Sequence, residues 1–327
     1  MIEKKRLELS TQMLISAAEK RKLCVQVLDY EDNFIRIHDE KKVEYIKEAT
    51  KTSVDPYIVP LIMENKEITK LILREQKINV PEGIRVNSLE EGLALYSDWD
   101  KKALVIKPKN TNFGLGITIL KKLESMEAFK DALQFAFSYD KTVLIETFVR
   151  GKEYRFLVIG DEVAGILHRV PANVKGDGIM TISELVNEKN KDPLRGKGYV
   201  TPLEKLSLGE TEIAFLKADH RTKDTIPEKD ELVFLRENSN ISTGGDSIDY
   251  TEIIRSDYKK IAIEAAKAVG AKICGVDMMI RSIDEKAGQD NYSIIELNFN
   301  PALHIHNYPW HGKNRHVEEK VLDLLGF

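Results

Sequence analysis

The chain has 327 residues, 42% of them hydrophobic and 31% charged, with a formal net charge of -4 and a pI near 6.1. That length buries a substantial core and predicts more than one lobe. The mild acidity gives no electrostatic case for a nucleic-acid partner, and no apolar run approaches the roughly 20 residues of a membrane span.

Leu9 to Lys22 carries Leu9, Met13, Leu14, Ala17 and Ala18 at helical spacing and leads into the strand-like Cys24 to Leu28, the pattern of an α/β unit. Phe34 to Ile37 and Val43 to Ile46 read as a hairpin around the charged Asp39 to Lys42 turn. A helix is predicted from Glu64 to Gln76, with Lys66 and Lys70 one turn apart, ending before the Pro81-Glu82-Gly83 break. Strands and helices then mix: a strand from Ala103 to Lys107, a helix from Ser125 to Phe137, and strands over Thr142 to Phe148, Glu153 to Ile159 and Val163 to Val170. The short Gly160-Asp161-Glu162 link predicts antiparallel pairing of the last two. From Asn173 to Thr201 the chain is rich in Lys, Asp, Asn and Gly, with one helix over Thr181 to Glu188, and reads as a mobile lid loop or a surface insertion. A buried strand from Leu232 to Arg236, a helix from Asp257 to Val269 and a closing amphipathic helix from Val317 to Leu325 complete the pattern.

Met1 to Arg6 lacks the apolar stretch of a signal peptide, so a cytoplasmic protein is expected. The two cysteines, Cys24 and Cys274, are isolated in apolar sequence and are expected to be buried, reduced thiols.

Two apolar runs near the C-terminus each deliver hard-metal ligands. Asp277 follows Gly275-Val276, while Glu296 and Asn298 alternate in Ile294-Ile295-Glu296-Leu297-Asn298. On adjacent strands these oxygen donors can share one face, and a carboxylate inside such a run is costly to bury without a partner. Three oxygen ligands suit Mg²⁺, which completes its shell with substrate phosphates. Upstream, Lys107 ends a buried strand and is followed by a small loop with Gly114 and Gly116, where backbone N–H groups can approach an anion. The strand through Glu146 leaves into a hinge at Phe148 and Val149, whose main-chain groups can read adenine, and Glu153 can accept hydrogen bonds from ribose hydroxyls. The alternative is a plain strand and turn with a solvated Glu153.

Arg236, Asn238, Asn240, Ser242 and Thr243 form a dense polar run after a buried strand, with Gly244 and Gly245 behind it. The run reads either as a substrate-binding segment or as a ligand-free turn. Arg169 and Asn173 are further candidates for contact with a substrate carboxylate. His304, His306 and His311 invite a zinc reading, but no neighbouring Cys or carboxylate completes the set. That loop, with Lys313 and Arg315, is expected to border the substrate pocket.

The order of these pieces resembles the ATP-grasp superfamily of carboxylate-amine ligases: Lys66, then VIKP ending at 108, a glycine loop, IETFVRGKE over 145–153, Asp277, and Glu296-Leu297-Asn298. RVPANVKGDG (169–178) and FLRENSNISTGG (234–245) resemble more specifically the ligase half of bifunctional glutathione synthetases, and more distantly cyanophycin synthetase. The resemblance implies an α/β (α+β) ATP-grasp fold in which two α/β subdomains clasp ATP. Residues 1–62 would form a short preceding segment, 63–148 the first subdomain, and 149–327 the second, with a mobile loop at 173–201. It implies ATP and two Mg²⁺ ions, or Mn²⁺ in their place, as cofactors, a peptide carboxylate and an amino acid as small-molecule partners, and a homodimer. By resemblance Lys66 and Lys107 hold phosphates, Glu146, Phe148, Val149 and Glu153 hold the nucleoside, and Arg236 stabilises the transferring phosphoryl or the oxyanion. The glutamate-cysteine ligase region of the bifunctional enzymes has no counterpart before Leu9, so γ-glutamylcysteine is expected from elsewhere. An amide ligase acting on another small carboxylate, or a nucleotide-binding protein without catalysis, are the competing readings.

Overall fold

Leu14, Ile15, Ala17 and Ala18 are buried along one side of the first helix, and burial of that stripe makes it a stable element. In the computed structural model, which describes residues 2–110, 115–198, 200–288 and 290–327, α1 (Leu9–Lys20) precedes an antiparallel sheet of β1 (Cys24–Asp29), β2 (Phe34–His38) and β3 (Val43–Lys47). The expected hairpin is present, with Ile35 opposite Ile46. Cys24 corrects the expectation of a buried thiol. β1 is an edge strand whose alternation turns Cys24 and Gln26 outward, whereas Cys274 is buried.

Two helices follow, α2 (Ile58–Glu64) and α3 (Lys66–Glu75), where the apolar spacing alone predicts one. The break falls at Asn65, whose backbone is extended and whose side chain accepts a hydrogen bond from Ile68 N–H, capping α3. Next come β4 (Gly83–Val86), α4 (Leu89–Ala94), α5 (Tyr96–Trp99), β5 (Leu104–Pro108), β6 (Thr118–Leu120), α6 (Met126–Phe137) and β7 (Val143–Thr147). The strands form an antiparallel sheet in the order β4-β7-β5-β6. Leu104, Ile106, Val143 and Ile145 bury against Phe129, Leu133 and Ala136 of α6. Strand alternation therefore sends Val105, Lys107, Leu144 and Glu146 to the opposite face.

The rest of the chain builds a larger body. β8 (Lys152–Ile159) and β9 (Glu162–Val170) pair antiparallel through a turn at Gly160, whose φ of 63° suits glycine. After them come β10 (Asn173–Lys175), α7 (Ile182–Lys189), β11 (Arg195–Gly196), β12 (Leu203–Glu204), α8 (Glu210–Ala218), β13 (Leu232–Phe234), β14 (Asp246–Asp249), α9 (Ser256–Val269), β15 (Ile273–Ile280), β16 (Tyr292–Asn298), α10 (His304–Asn307) and α11 (Val317–Leu325). Five of the strands form an antiparallel sheet in the order β14-β9-β8-β15-β16.

Both faces of that sheet are covered, which is why its strands read as continuous apolar runs. Tyr154, Phe156, Val276 and Met278 pack with Tyr258 and Ala262 of α9 and with Val59, Met63 and Leu73 of α2 and α3. Leu157, Ile159 and Ile273 share the opposite core with α1 and α11. The N-terminal segment is thus continuous with the core of the C-terminal lobe, although the sequence assigns it a separate unit. Among its described residues the glycine-rich stretch 173–201 carries β10, α7 and β11. It joins residues up to 235 in a small lobe with its own core, including Ala172, Val174, Ile182, Leu206 and Leu235. Among the described residues no helix is long and apolar enough to cross a membrane.

Candidate functional site

Register decides the first part of the site. Arg155 lies directly opposite Asp277, and Asp277 directly opposite Glu296, so three adjacent strands align charged residues in one row. Asn298, two residues beyond Glu296, falls on the same face. Arg155 forks both oxygens of Asp277: Nη2 donates to Oδ2 at 2.7 Å, and Nε donates to Oδ1. Asn298 Nδ2 donates to Oδ2 at 3.2 Å, and Arg169 Nη2 stands 3.8 Å away. Burial to 1% exposure would raise the Asp277 carboxyl, but the two guanidiniums hold it below the usual carboxylate range. Gly275 leaves the room this needs, since a Cβ there would stand 2.9 Å from Arg155 Cδ.

The second part lies on the face of the four-stranded sheet turned away from α6. Lys107 Nζ sits 2.8 Å from one Glu146 oxygen, and Lys70 Nζ donates to the other. All three are almost wholly buried, and their charges set one another's ionisation. Burial would raise Glu146, yet the two lysines pull it down to about 2. Burial, with the Lys107 charge next, draws Lys70 down to about 8. Burial acts the same way on Lys107, but Glu146 outweighs it and leaves that ammonium above its ordinary value.

Helix α3 joins the two parts. Lys66 and Lys70 are four residues apart and so lie on one side of the helix. Lys70 turns to Glu146, while Lys66 comes within 4.0 Å of Glu296. Lys66 is drawn down by burial, which the nearby Glu296 only partly offsets. Lysines belonging to one sheet's cluster thereby face the oxygen donors of the other sheet.

The other residues expected from the sequence separate into different neighbourhoods. Glu153 receives hydrogen bonds from Arg169 and Ser239 and belongs to the polar row. Phe148 and Val149 are half-buried in the hinge between β7 and β8, where Phe148 N–H is already given to the Ala103 carbonyl at 2.9 Å. Gly116 adopts φ 73° and packs where a Cβ would strike Pro108; Gly114 lies outside the described residues.

Arg236 follows β13 and is paired with an acidic side chain of the small lobe. Its Nε donates to Glu212 of α8, because β13 carries it into the small lobe. Asn173 is likewise buried in that lobe, where its Nδ2 donates to Asp246 at 2.9 Å. The polar run closes on itself. Thr243 Oγ1 donates to Asn238 Oδ1 and to the Asn240 carbonyl, each at 2.9 Å, and Ser242 sits half-buried in the same short turn. Gly245 permits an approach of backbone to backbone, since a Cβ would meet the Val170 carbonyl at 2.9 Å. Asn240 is joined to the charged row, accepting from Arg169 Nη2 at 3.4 Å.

The three histidines do not converge. His304 bonds Ser10 Oγ at 2.9 Å, His306 is wholly buried on the same short helix, and His311 is exposed. Burial lowers His304 to about 4 and His306 to about 3. Arg315 and Lys313 are taken up by Asp249 and Glu252, so this loop is tied to β14 by ion pairs. Among the described residues no group of three His, Cys, Asp or Glu side chains is placed to hold a metal unaided.

Three functional candidates escape the sequence reading: Arg155, Lys70 and the Asp246 cluster. Asp246 is buried and binds Lys189 at 2.7 Å and Arg195, while Trp310 covers both cations at 5.3 and 4.8 Å. Arg155 stands inside the apolar run YRFLVI, where a lone charge signals a buried partner.

Three family models match successive parts of the chain: an ATP-grasp-like domain over 5–58, the ATP-grasp (A) domain of phosphoribosylglycinamide synthetase over 64–171, and a RimK-like ATP-grasp domain over 223–311. The chain is 57% identical over 319 residues to the glutathione biosynthesis bifunctional protein GshAB of Clostridium perfringens, and 53% identical over 321 residues to that of Desulfotalea psychrophila. Each match covers 98% of this chain and 41% of the relative, so the chain spans about two fifths of their length. The crystal structure of a bifunctional glutathione synthetase from Pasteurella multocida superposes with a TM-score of 0.77 at 45% identity, over 98% of this chain and 44% of that one.

Proposed function

The chain belongs to the ATP-grasp family, and from that premise we propose that it joins γ-glutamylcysteine to glycine at the expense of ATP. The observation that carries the reading is the 4.0 Å approach of Lys66 to Glu296, which sets the Lys66–Lys70–Lys107 cluster against the Asp277–Glu296–Asn298 oxygens. A polyphosphate calls for both: fixed ammonium groups, and a hard cation held by few protein oxygens.

Lys66 and Lys107 would bind the phosphates, with Glu146 fixing the direction of Lys107. The hinge at Phe148 and Val149 would take the adenine. The metal-ligand residues fit a hard cation. The Glu296 side chain is 35% exposed, and the Asp277 carboxylate has about four acceptor sites, of which Arg155 takes two and Asn298 one. Mg²⁺ bound there would neutralise charge on the phosphate chain.

The peptide carboxylate attacks the γ-phosphorus, ADP leaves, and an acyl phosphate results. The neutral amine of glycine then attacks the acyl carbon, the tetrahedral intermediate expels phosphate, and the proton shed by the nitrogen passes to the departing phosphate. Arg169 is the better-placed source of fixed positive charge than Arg236. Among the described residues its buried Nε has no hydrogen-bond partner, and its Nη2 already lies 3.8 Å from Asp277. The small lobe would close over the substrates, for which the Lys121–Glu237 pair at 3.7 Å offers a contact with the four-stranded sheet's segment.

Inorganic phosphate release from Mg-ATP, with γ-glutamylcysteine or glycine omitted in turn, tests the reading. Release that needs both substrates, with glutathione detected by mass, is expected. Silence with that donor but turnover with another carboxylate would keep the ligase chemistry and discard the substrate.

A further inference from the structure

A cavity of about 330 Å³ between α3 and the edge strand β4 is lined by Lys70 and Glu146. Ile68 and Leu71 of α3, 40% and 50% exposed, and Ile84 and Leu144 give it apolar walls. Four cations line it, Lys70, Arg74, Arg85 and Lys109, against two carboxylates, Glu67 and Glu146. Both carboxylates are already shared. Glu67 receives Lys109 at 3.0 Å and Arg85 at 3.5 Å, and Glu146 receives Lys70 and Lys107. Arg74 is held by the Pro81 carbonyl at 2.8 Å, a partner without net charge.

Half-exposed aliphatic walls beneath a surplus of positive charge fit a ligand with a compact apolar body and a doubly negative head. We propose that this cavity is a second binding site, for a small amphipathic dianion of the aryl-phosphate or dicarboxylate class, separate from the nucleotide site. Lys66 and Lys107, the lysines assigned to the phosphates, do not line it; Lys70 and Glu146 form its shared wall. A dianion that draws Lys70 toward itself leaves Glu146 to Lys107 alone, so occupancy weakens the hold on ATP. That coupling rests on the assignment of Lys107 to ATP.

Isothermal titration of the full chain with phenyl phosphate tests the site. One saturable site is expected, with inorganic phosphate at least tenfold weaker because it lacks the apolar body. The Arg74→Gln/Arg85→Gln double variant, which alters exposed side chains, should keep its melting temperature and bind at least tenfold more weakly. Saturating Mg²⁺ and a non-hydrolysable ATP analogue should shift the phenyl phosphate Kd without abolishing binding. Absence of saturation, indifference to the double substitution, or complete competition by the nucleotide analogue would each overturn the proposal. Binding of phenyl phosphate by a chain that takes up no nucleotide would instead remove the ATP reading and leave the cavity site standing.

Discussion

Arg155 on β8 and Asp277 on β15 are direct cross-strand neighbours, and the guanidinium forks both oxygens of a carboxylate that is 1% exposed. A residue with the ligand chemistry of a metal site is therefore also half of a buried ion pair, and its two roles respond differently to substitution.

Removing either partner leaves the other charge buried without its bidentate counter-ion. Asp277→Ala and Arg155→Ala should each lower unfolding free energy by about 3 to 5 kcal/mol, measured by urea titration. Asp277→Asn keeps the shape and should recover part of that loss, while remaining without ligase turnover. Stability unchanged in Asp277→Ala would show that the pair is not formed in solution.

Glu296 is the contrasting case, since its side chain is 35% exposed and pairs with Lys66 at 4.0 Å. Glu296→Gln should change stability by no more than about 0.5 kcal/mol. Its phosphate release should fall by about 100-fold, the scale of losing one preorganised electrostatic group. Added Mg²⁺ should restore part of the rate if the residue acts through the metal.

The Lys70–Glu146 pair predicts two limbs in the stability–pH curve. Glu146 is depressed from 4.5 to about 2, so its contribution is present above pH 4.5 and disappears as pH falls through about 2. Lys70 is depressed from 10.5 to about 8, so between those values the unfolded chain binds more protons and this group makes stability rise with pH. Denaturant titrations across pH should show the acid limb flattened in Glu146→Gln and the alkaline rise lost in Lys70→Met.

The small lobe is tied down at Asp246, which binds Lys189, Arg195 and Asn173. Asp246→Ala would leave two buried cations uncompensated. We expect about 3 kcal/mol or more of destabilisation, and hydrogen exchange that accelerates in residues 173–235 before it does so in β8 or β15.

The thiols separate by environment. Cys24 is exposed, whereas burial raises the Cys274 thiol to about 12. A chromogenic disulfide reagent should titrate one thiol in the native chain and two after unfolding. Two fast thiols in the native chain would contradict the placement of Cys274.

Much of this molecule is determined locally. Helix stripes such as Leu14–Ala18, the Ser125 cap before α6, and the two-residue link at Gly160 set elements within a few residues, because capping, periodicity and turn geometry act over that distance. The strand alternation also sets Glu296 and Asn298 on one face. Which side chains meet them was decided only by strand order. Placing β8 between β9 and β15 brings Arg155 and Arg169 to Asp277, and closing α3 between two sheets brings Lys66 to Glu296 and Lys70 to Glu146. The same topology carries Arg236 and Asn173 into the small lobe, to Glu212 and Asp246. Charged side chains find partners far away in the chain, 122 residues apart for Arg155 and Asp277 and 230 for Lys66 and Glu296. No local preference carries that information, because register and sheet order arise only when the whole core is formed.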